Sequence, residues 1–255
     1  MKSKIILTTL LSAIIVLPIF SQRMPEILAI RNVEIQEDVD EIAVQNAYKD
    51  HTKKMTWYFL GNSAFLGKGN KGERVDKYIF LWGFDLKDHR DYYYPPDSTS
   101  GTAAALEAWG KIGRTELPYI KESPAYTDYQ LLGFSKMIDP QLGEVVAIRY
   151  PDIIPQKEKE FQSRIENEWY KKCENLIEGV GTYFYKGDRG ERKGKYMHVL
   201  TIDTYETYIK LWKKEGGYTE EGNKVFEPVK EFHEEMMSYF KEGSFGTYTD
   251  YIIIR

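Results

Sequence analysis

Four histidines, one cysteine and a repeated basic, glycine-containing segment are the groups in this 255-residue chain with the chemistry to form a site. A histidine on an otherwise apolar surface suits a pocket-lining acid or base, or an axial haem ligand. His51 falls on an apolar helical stripe where the second half of the chain has Trp169. His198 falls inside an apolar strand where the first half has Phe80, and His233 borders an apolar helical stripe beside Phe232 and Met236. With the helical Trp109, the candidate pocket residues are His51, Trp169, His198, Phe80, His233 and Trp109. Each histidine also has a plainer reading, a core ring satisfied by one backbone carbonyl. His89 sits in a charged stretch and is expected to be solvated. No histidine pair has the spacing of a helical zinc site, and no His-Glu-x-x-His occurs. Cys173 is the only cysteine, which rules out an intrachain disulfide and a multi-cysteine metal centre. Neither a metal nor a cofactor is expected.

Cations and glycine amides converge in residues 68–78, KGNKGERVDKY, and in residues 186–196, KGDRGERKGKY. Arg74, Lys77, Arg192 and Lys195 are the candidate anion contacts there. Turn chemistry explains the glycines without a ligand, and Glu73 and Glu191 offset part of the charge, so a hairpin with a structural task is the favoured reading. Neither copy ends in the Gly-Lys-Ser/Thr of a phosphate loop. The run Tyr92-Tyr93-Tyr94-Pro95-Pro96 reads as a stiff aromatic lid over a pocket, or equally as packed surface.

Those two segments also reveal how the chain is organised. They lie 118 residues apart and agree at 7 of 11 positions. The same shift pairs Ala29-Ile30-Arg31 with Ala147-Ile148-Arg149, and Asp85 with Asp203. Tyr126-Thr127-Asp128-Tyr129 matches Tyr248-Thr249-Asp250-Tyr251 at a shift of 122. Matches in one order at near-constant spacing indicate a duplication, with copies near residues 27–138 and 144–255. The expected organisation is a signal peptide over 1–21, a first repeat over 22–142 and a second over 143–255.

Each copy opens with a short apolar strand, 27–33 or 145–150. A helix follows, with Asp38 and Glu41 as a capping box in copy one and Pro155 at the first position in copy two. Ala43, Ala47, His51, Met55 and Tyr58 form its predicted buried stripe, matched by Phe161, Ile165, Trp169, Cys173 and Leu176. Two strands flank the basic segment. The second of them, 77–85 or 195–203, is apolar at both parities, so the sheet must be covered on both faces. A second helix, marked by Leu106, Trp109 and Ile112 or by Val225, Val229, Phe232, Met236 and Phe240, precedes a last strand, 128–134 or 250–254. An extra helix is expected near Tyr205, Tyr208, Ile209 and Trp212.

The order strand, helix, strand, strand, helix, strand is the ferredoxin-like plan. The fold class is therefore α+β, with two ferredoxin-like βαββαβ repeats in one chain. Two such modules with doubly covered sheets resemble the dimeric α/β-barrel superfamily. Its members include relatives of antibiotic-biosynthesis monooxygenases, EthD-like and NIPSNAP-like proteins, and haem enzymes of the chlorite dismutase type. The resemblance implies that the sheets pack as an intramolecular α/β barrel, with helices outside and a ligand pocket between helices and sheet in each module. It transfers no activity by itself.

The amino terminus reads as a secretory signal: Lys2 and Lys4, then an apolar run from Ile5 to Phe20, then Ile19 and Ser21 as the cleavage site before Gln22. A periplasmic or extracellular protein is expected, with no stable membrane span after cleavage. The net charge of −4 gives no reason to expect nucleic acid as a partner. Apolar residues at 42%, with 15% aromatic, can fill a core. The expected activity is binding of a small apolar or aromatic ligand in aromatic-lined pockets. An oxygenase of the dimeric α/β-barrel type, cofactor-free or haem-dependent, and a non-catalytic envelope interaction module are the alternatives.

Overall fold

A computed structural model of the chain describes residues 25–96, 98, 100–121, 126–134, 144–173 and 179–254. The expected signal peptide, the boundary between the repeats at 142/143 and Leu176 of the second helical stripe lie outside the described residues. The first repeat runs β1 (Ile27–Val33), α1 (Glu41–Tyr58), β2 (Asn62–Gly72), β3 (Tyr78–Phe84), α2 (Lys87–Tyr93), α3 (Ala103–Ile112) and β4 (Tyr126–Phe134). The second runs β5 (Val145–Arg149), α4 (Glu158–Asn167), α5 (Trp169–Cys173), β6 (Val180–Gly190), β7 (Tyr196–Ile202), α6 (Tyr205–Leu211), α7 (Glu220–Phe226), α8 (Lys230–Met237) and β8 (Tyr248–Ile254).

The eight strands close into one antiparallel barrel in the order β1-β3-β2-β8-β5-β7-β6-β4. Each repeat contributes a four-stranded ferredoxin-like sheet, and the two join edge to edge through β2–β8 and β4–β6. Closure pairs both edges of every one of the eight described strands. β3 and β7 are buried at every position, as their two-sided apolar sequences require. One parity fills the barrel with Leu28, Ile30, Leu81, Tyr183, Tyr185, Met197 and Val199. The other parity packs outward under the helices, with Ala29, Phe80 and Trp82 in the first repeat and Ala147 and Leu200 in the second.

The structure moves several local expectations. The cap of α1 is Asp40, whose carboxylate accepts from the Ile42 amide, while Asp38 takes a left-handed φ of 62° in the preceding turn. The buried stripe of α1 is Val44, Tyr48, His51 and Met55. Ala43 and Ala47 are therefore one position off the core-facing line, and Tyr58 is exposed. In the second repeat Phe161, Ile165, Trp169 and Cys173 are buried as expected, because a break at Glu168 between α4 and α5 absorbs the extra residue. Leu106 faces solvent, and Ala105, Ala108 and Ile112 carry the buried face of α3. Pro228 sits in a 3-10 turn, Glu227–Val229, that separates α7 from α8, as a residue without an amide proton must. Both repeats carry the extra helix: α2 covers Tyr92 and Tyr93, which the sequence had placed in a loop, and α6 is its counterpart.

The repeated basic segment is the hairpin β2–β3, and β6–β7 in the second copy. Its parts have structural tasks. Lys68 and Tyr78 converge on Glu41 in the first turn of α1, at 2.6 and 2.5 Å, and Lys186 and Tyr196 converge on Glu158 at 2.9 and 3.1 Å. The second glycine of each motif lies against the last strand of the other repeat. Gly72 has φ 97° and an added Cβ would overlap the Tyr248 carbonyl; Gly190 has φ 90° and would overlap that of Tyr126. Beside them the Arg74 amide donates to Thr249 Oγ1 at 3.3 Å, and the Arg192 amide donates to Thr127 Oγ1 at 3.2 Å. Each repeated motif thus clasps the last strand of the other repeat across a seam of the barrel.

Candidate functional site

A cavity of about 710 Å³ opens between the outer face of the second repeat's sheet and its helices. Its floor follows from strand register. Arg149 pairs with His198 on β7 and with Tyr248 on β8, and Ala147 pairs with Leu200 and Asp250. Side chains of one strand parity share a face, so these groups form two adjacent rows on one surface. Small Ala147 in the middle leaves room above it. The walls are Trp169 and Cys173 on α5, Tyr208 on α6, Phe226, Phe232 and His233 on or near α7–α8, and Phe245 in the following turn.

The equivalent space in the first repeat is filled. Shifting by 118 residues, Leu200 corresponds to Trp82 and His198 to Phe80. Trp82 meets Phe59 at 5.0 Å between ring centroids and Trp109 at 5.8 Å. The indole N–H of Trp82 donates to Asn62 Oδ1 at 3.2 Å, and that of Trp109 to Tyr94 Oη at 2.5 Å. His51 stacks on Trp109 at 5.7 Å, and its Nδ1 lies 3.1 Å from Glu116 Oε2, both residues buried. Burial works against ionising Glu116, yet the His51 contact and Arg114 hold its carboxyl below the ordinary value. Tyr93 and Tyr94 are part of this packing rather than a lid, and only Tyr92 of the three is exposed.

The cavity wall of the second repeat is less complete. His198 Nε2 lies 2.5 Å from Thr182 Oγ1, while His198 Nδ1, Trp169 Nε1 and Asp250 Oδ1 have no hydrogen-bond partner among the described residues. Asp250 Oδ2 accepts from the Tyr208 hydroxyl at 2.6 Å. Burial raises the Asp250 carboxyl above its ordinary value, with Tyr208 and Arg149 opposing. Burial, then the Arg149 charge, lowers His198 far below the usual imidazole range, and the same causes lower His233. The buried His198 ring is neutral at physiological pH, whereas His233 is exposed at the cavity mouth. Burial pushes the Cys173 thiol up to about 12, so it is a wall residue without a reactive thiolate.

The six candidate pocket residues therefore divide. Trp169, His198 and His233 line the open cavity, whereas His51, Phe80 and Trp109 belong to the filled first repeat. The four candidate anion contacts do not gather at one place. Arg192 lies over the Tyr150 ring at 4.5 Å, and Arg74 is half-buried in the symmetry-related hairpin. Lys77 and Lys195 are exposed, and Lys195 Nζ lies 3.7 Å from Asp152. His89 is half-buried on α2 against Gly61 rather than freely solvated. Sequence reasoning missed Arg149, Asp250, Tyr208 and Lys71 as site residues. Arg149 and Asp250 were visible there as repeated positions, but only strand register shows that they share the cavity floor.

No protein-family model matches the chain, and no curated protein matches it. Solved structures do. A candidate monooxygenase of Fusobacterium nucleatum subsp. nucleatum shares 15% identity over 91% of this chain and 93% of its own, with a TM-score of 0.55. A candidate monooxygenase from Lactobacillus acidophilus NCFM shares 11% over 91% and 95%, at 0.56. An anthrone oxidase-like protein shares 8% over 92% and 93%, at 0.50. Likeness at this identity establishes the fold alone. The chain has the dimeric α/β-barrel fold, with both halves in one polypeptide.

The haem-dependent alternative needs an imidazole nitrogen facing open space while its other nitrogen is held by an acceptor. His198 spends Nε2 on Thr182 and buries Nδ1 in the wall. His233 has no orienting hydrogen bond among the described residues. His51 has a carboxylate beside it, but Trp109 and Phe80 close over its ring. None of these three histidines combines an oriented ring with a nitrogen open to a ligand.

Proposed function

We propose that this is an exported small-molecule-binding protein whose ligand, largely apolar and aromatic, occupies the cavity of the second repeat. The observation that carries the reading is the contrast between the repeats: the same place on the same fold is filled by Trp82 and Trp109 in one and open over Leu200 in the other. A cavity of this volume suits a ligand of drug-like size, and its lining of aromatic rings with a few polar groups is that of a ligand pocket. The unpartnered polar atoms in its wall support the same reading, because buried polar groups are ordinarily paired. Export rests on the charged and apolar amino-terminal segment.

Restoring the first repeat's residue tests this. Leu200→Trp should fill the cavity while leaving the fold intact. N-phenyl-1-naphthylamine should bind the parent protein with a saturable, one-to-one rise in fluorescence, and Leu200→Trp should abolish that rise without lowering the melting temperature. Absence of saturable binding to the parent, or equal binding to a folded Leu200→Trp variant, would overturn the reading.

Cofactor-free oxygenation in the same cavity is the second reading, supported by the fold shared with two candidate monooxygenases and an anthrone oxidase-like protein. Uptake of one O₂ per anthrone, with anthraquinone and water as products, would establish it. Absence of uptake above the uncatalysed rate would leave anthrone oxidation without support.

A further inference from the structure

The side chain in the cavity whose charge is least compensated is Arg149, at the end of β5. Its guanidinium lies 5.4 Å from the Phe245 ring centroid and 5.1 Å from that of Tyr248. Packing between two aromatic rings restricts a long side chain that would otherwise be free and leaves the in-plane N–H groups to bond elsewhere. Among the described residues no carboxylate lies within ion-pair distance of Arg149, and no hydrogen bond engages it. The cation is half-buried in a pocket made mainly of rings.

The charges around it leave one positive charge over. Of the fixed charges in the half-buried or buried part of the lining, Lys71 and Arg149 are cations and Asp250 is the one carboxylate. Lys71 Nζ is already turned to the Lys213 carbonyl at 2.7 Å, and Asp250 to the Tyr208 hydroxyl. His198 adds no charge, since burial and Arg149 keep it neutral, and His233 is exposed at the mouth. Glu227, Lys230 and Glu234 stand at the exposed mouth, where water screens them. The filled first repeat resolves the same fold position differently. There Arg90 donates to Asp128 at 2.8 Å, where the second repeat has Tyr208 on Asp250. Arg31, the first repeat's counterpart of Arg149, also lies over a ring, Tyr126 at 5.3 Å, without an ion pair among the described residues, but it is Arg149 that lines the open cavity, where a group from outside the chain can reach it.

Resting on the cavity as the ligand site, we propose that the ligand is a planar aromatic molecule carrying one carboxylate, held by the Arg149 guanidinium fork while its ring system lies among Trp169, Phe226, Phe232 and Phe245. A carboxylate matches the fork with two parallel N–H···O bonds.

The experiment compares two probes of the same shape, 2-naphthoate and neutral 2-naphthamide, by tryptophan quenching at pH 7.5, in the parent protein and in Arg149→Met and Arg149→Lys. N-phenyl-1-naphthylamine reports separately on the cavity in each variant. In the parent, naphthoate should bind about 10- to 100-fold tighter than the amide, the worth of a charge-assisted hydrogen-bonded pair. Arg149→Met should erase that preference, bringing acid and amide to equal affinity while N-phenyl-1-naphthylamine still binds saturably, and Arg149→Lys should keep part of it. Equal affinity for acid and amide in the parent, or a preference that survives Arg149→Met, would overturn the carboxylate proposal while saturable N-phenyl-1-naphthylamine binding left the cavity reading standing. Failure of all three probes to bind the parent would overturn both.

Discussion

Replacing Gly190 by alanine tests the clasp that joins β4 to β6. The residue has φ 90°, a conformation that costs a side-chain-bearing residue about 1–2 kcal/mol. Alanine recovers about 0.4–1 kcal/mol by restricting the unfolded chain, so backbone strain alone nets close to 1 kcal/mol. The added Cβ would also overlap the Tyr126 carbonyl, which cannot move without displacing β4. Separating the strands weakens two hydrogen bonds, from the Glu191 amide to Tyr126 O at 3.3 Å and from the Arg192 amide to Thr127 Oγ1 at 3.2 Å. Each such bond contributes about 0.5–1.5 kcal/mol. The expected loss is about 2–4 kcal/mol, or about 5–15 °C in melting temperature for a chain of this size.

The internal control is the same substitution in α3. Gly110 lies inside that helix, is exposed, and has nothing within 4 Å of an added Cβ. Gly110→Ala should therefore stabilise by about 0.5–1 kcal/mol. Urea unfolding followed by circular dichroism gives both numbers from one pair of variants. A Gly190→Ala protein within about 0.5 kcal/mol of the parent, the size of an ordinary surface change, would refute the clasp. So would two variants shifting in the same direction.

Asp250→Asn should raise stability at neutral pH by about 1 kcal/mol, because the folded carboxyl titrates above its unfolded value of about 3.9 and its charged form is the penalised one. That advantage should vanish below about pH 4, where both states are protonated, and denaturation midpoints across a pH series would show it or contradict it. Glu116→Gln should have the opposite sign: its carboxyl is held low in the fold, so the variant is weaker above about pH 4.3 by about 1–3 kcal/mol and converges with the parent in acid. Hemin titration should give no sharp, saturable Soret shift, since no described histidine is both oriented and open; a one-to-one shift lost on removing His198 or His233 would reverse that conclusion. Mass spectrometry of protein recovered from its native envelope fraction should find Gln22 at the amino terminus, and an intact Met1 would rule out cleavage.

The architecture was legible because duplication supplied each measurement twice. Two near-constant shifts located eight strands and the principal helices, and two-sided apolar strands announced that both faces of the sheet are covered. Local detail was harder where one residue decides the face. Ala43 and Ala47 have weak preferences, so aligning them with Phe161 and Ile165 placed the stripe one step from Val44 and Tyr48. The alignment concealed this because the extra residue at Glu168 restores the shift before His51 and Trp169. The roles of the repeated glycines were half legible. Their type called for a turn, but that Gly72 and Gly190 meet the opposite repeat is a property of barrel closure, which no local pattern contains.

The candidate site shows the complementary limit. Repeated positions identify the fold, whereas positions at which the copies differ identify where one of them has been released from packing. His198 against Phe80 was such a difference, and it does face the cavity. His51 against Trp169 was another, but the histidine is the member in the filled repeat, paired with Glu116, and the tryptophan lines the open one. Chemical reactivity was therefore the wrong criterion for choosing between the members of a pair. Leu200 against Trp82 carries no chemistry at all, yet removing that indole opens the floor beside Ala147. Tyr208 against Arg90 exchanges a cation for a neutral donor, so Asp250 accepts from a hydroxyl where Asp128 pairs with a guanidinium. Loss of bulk at position 200 thus opens the space that Arg149 borders on the cavity floor.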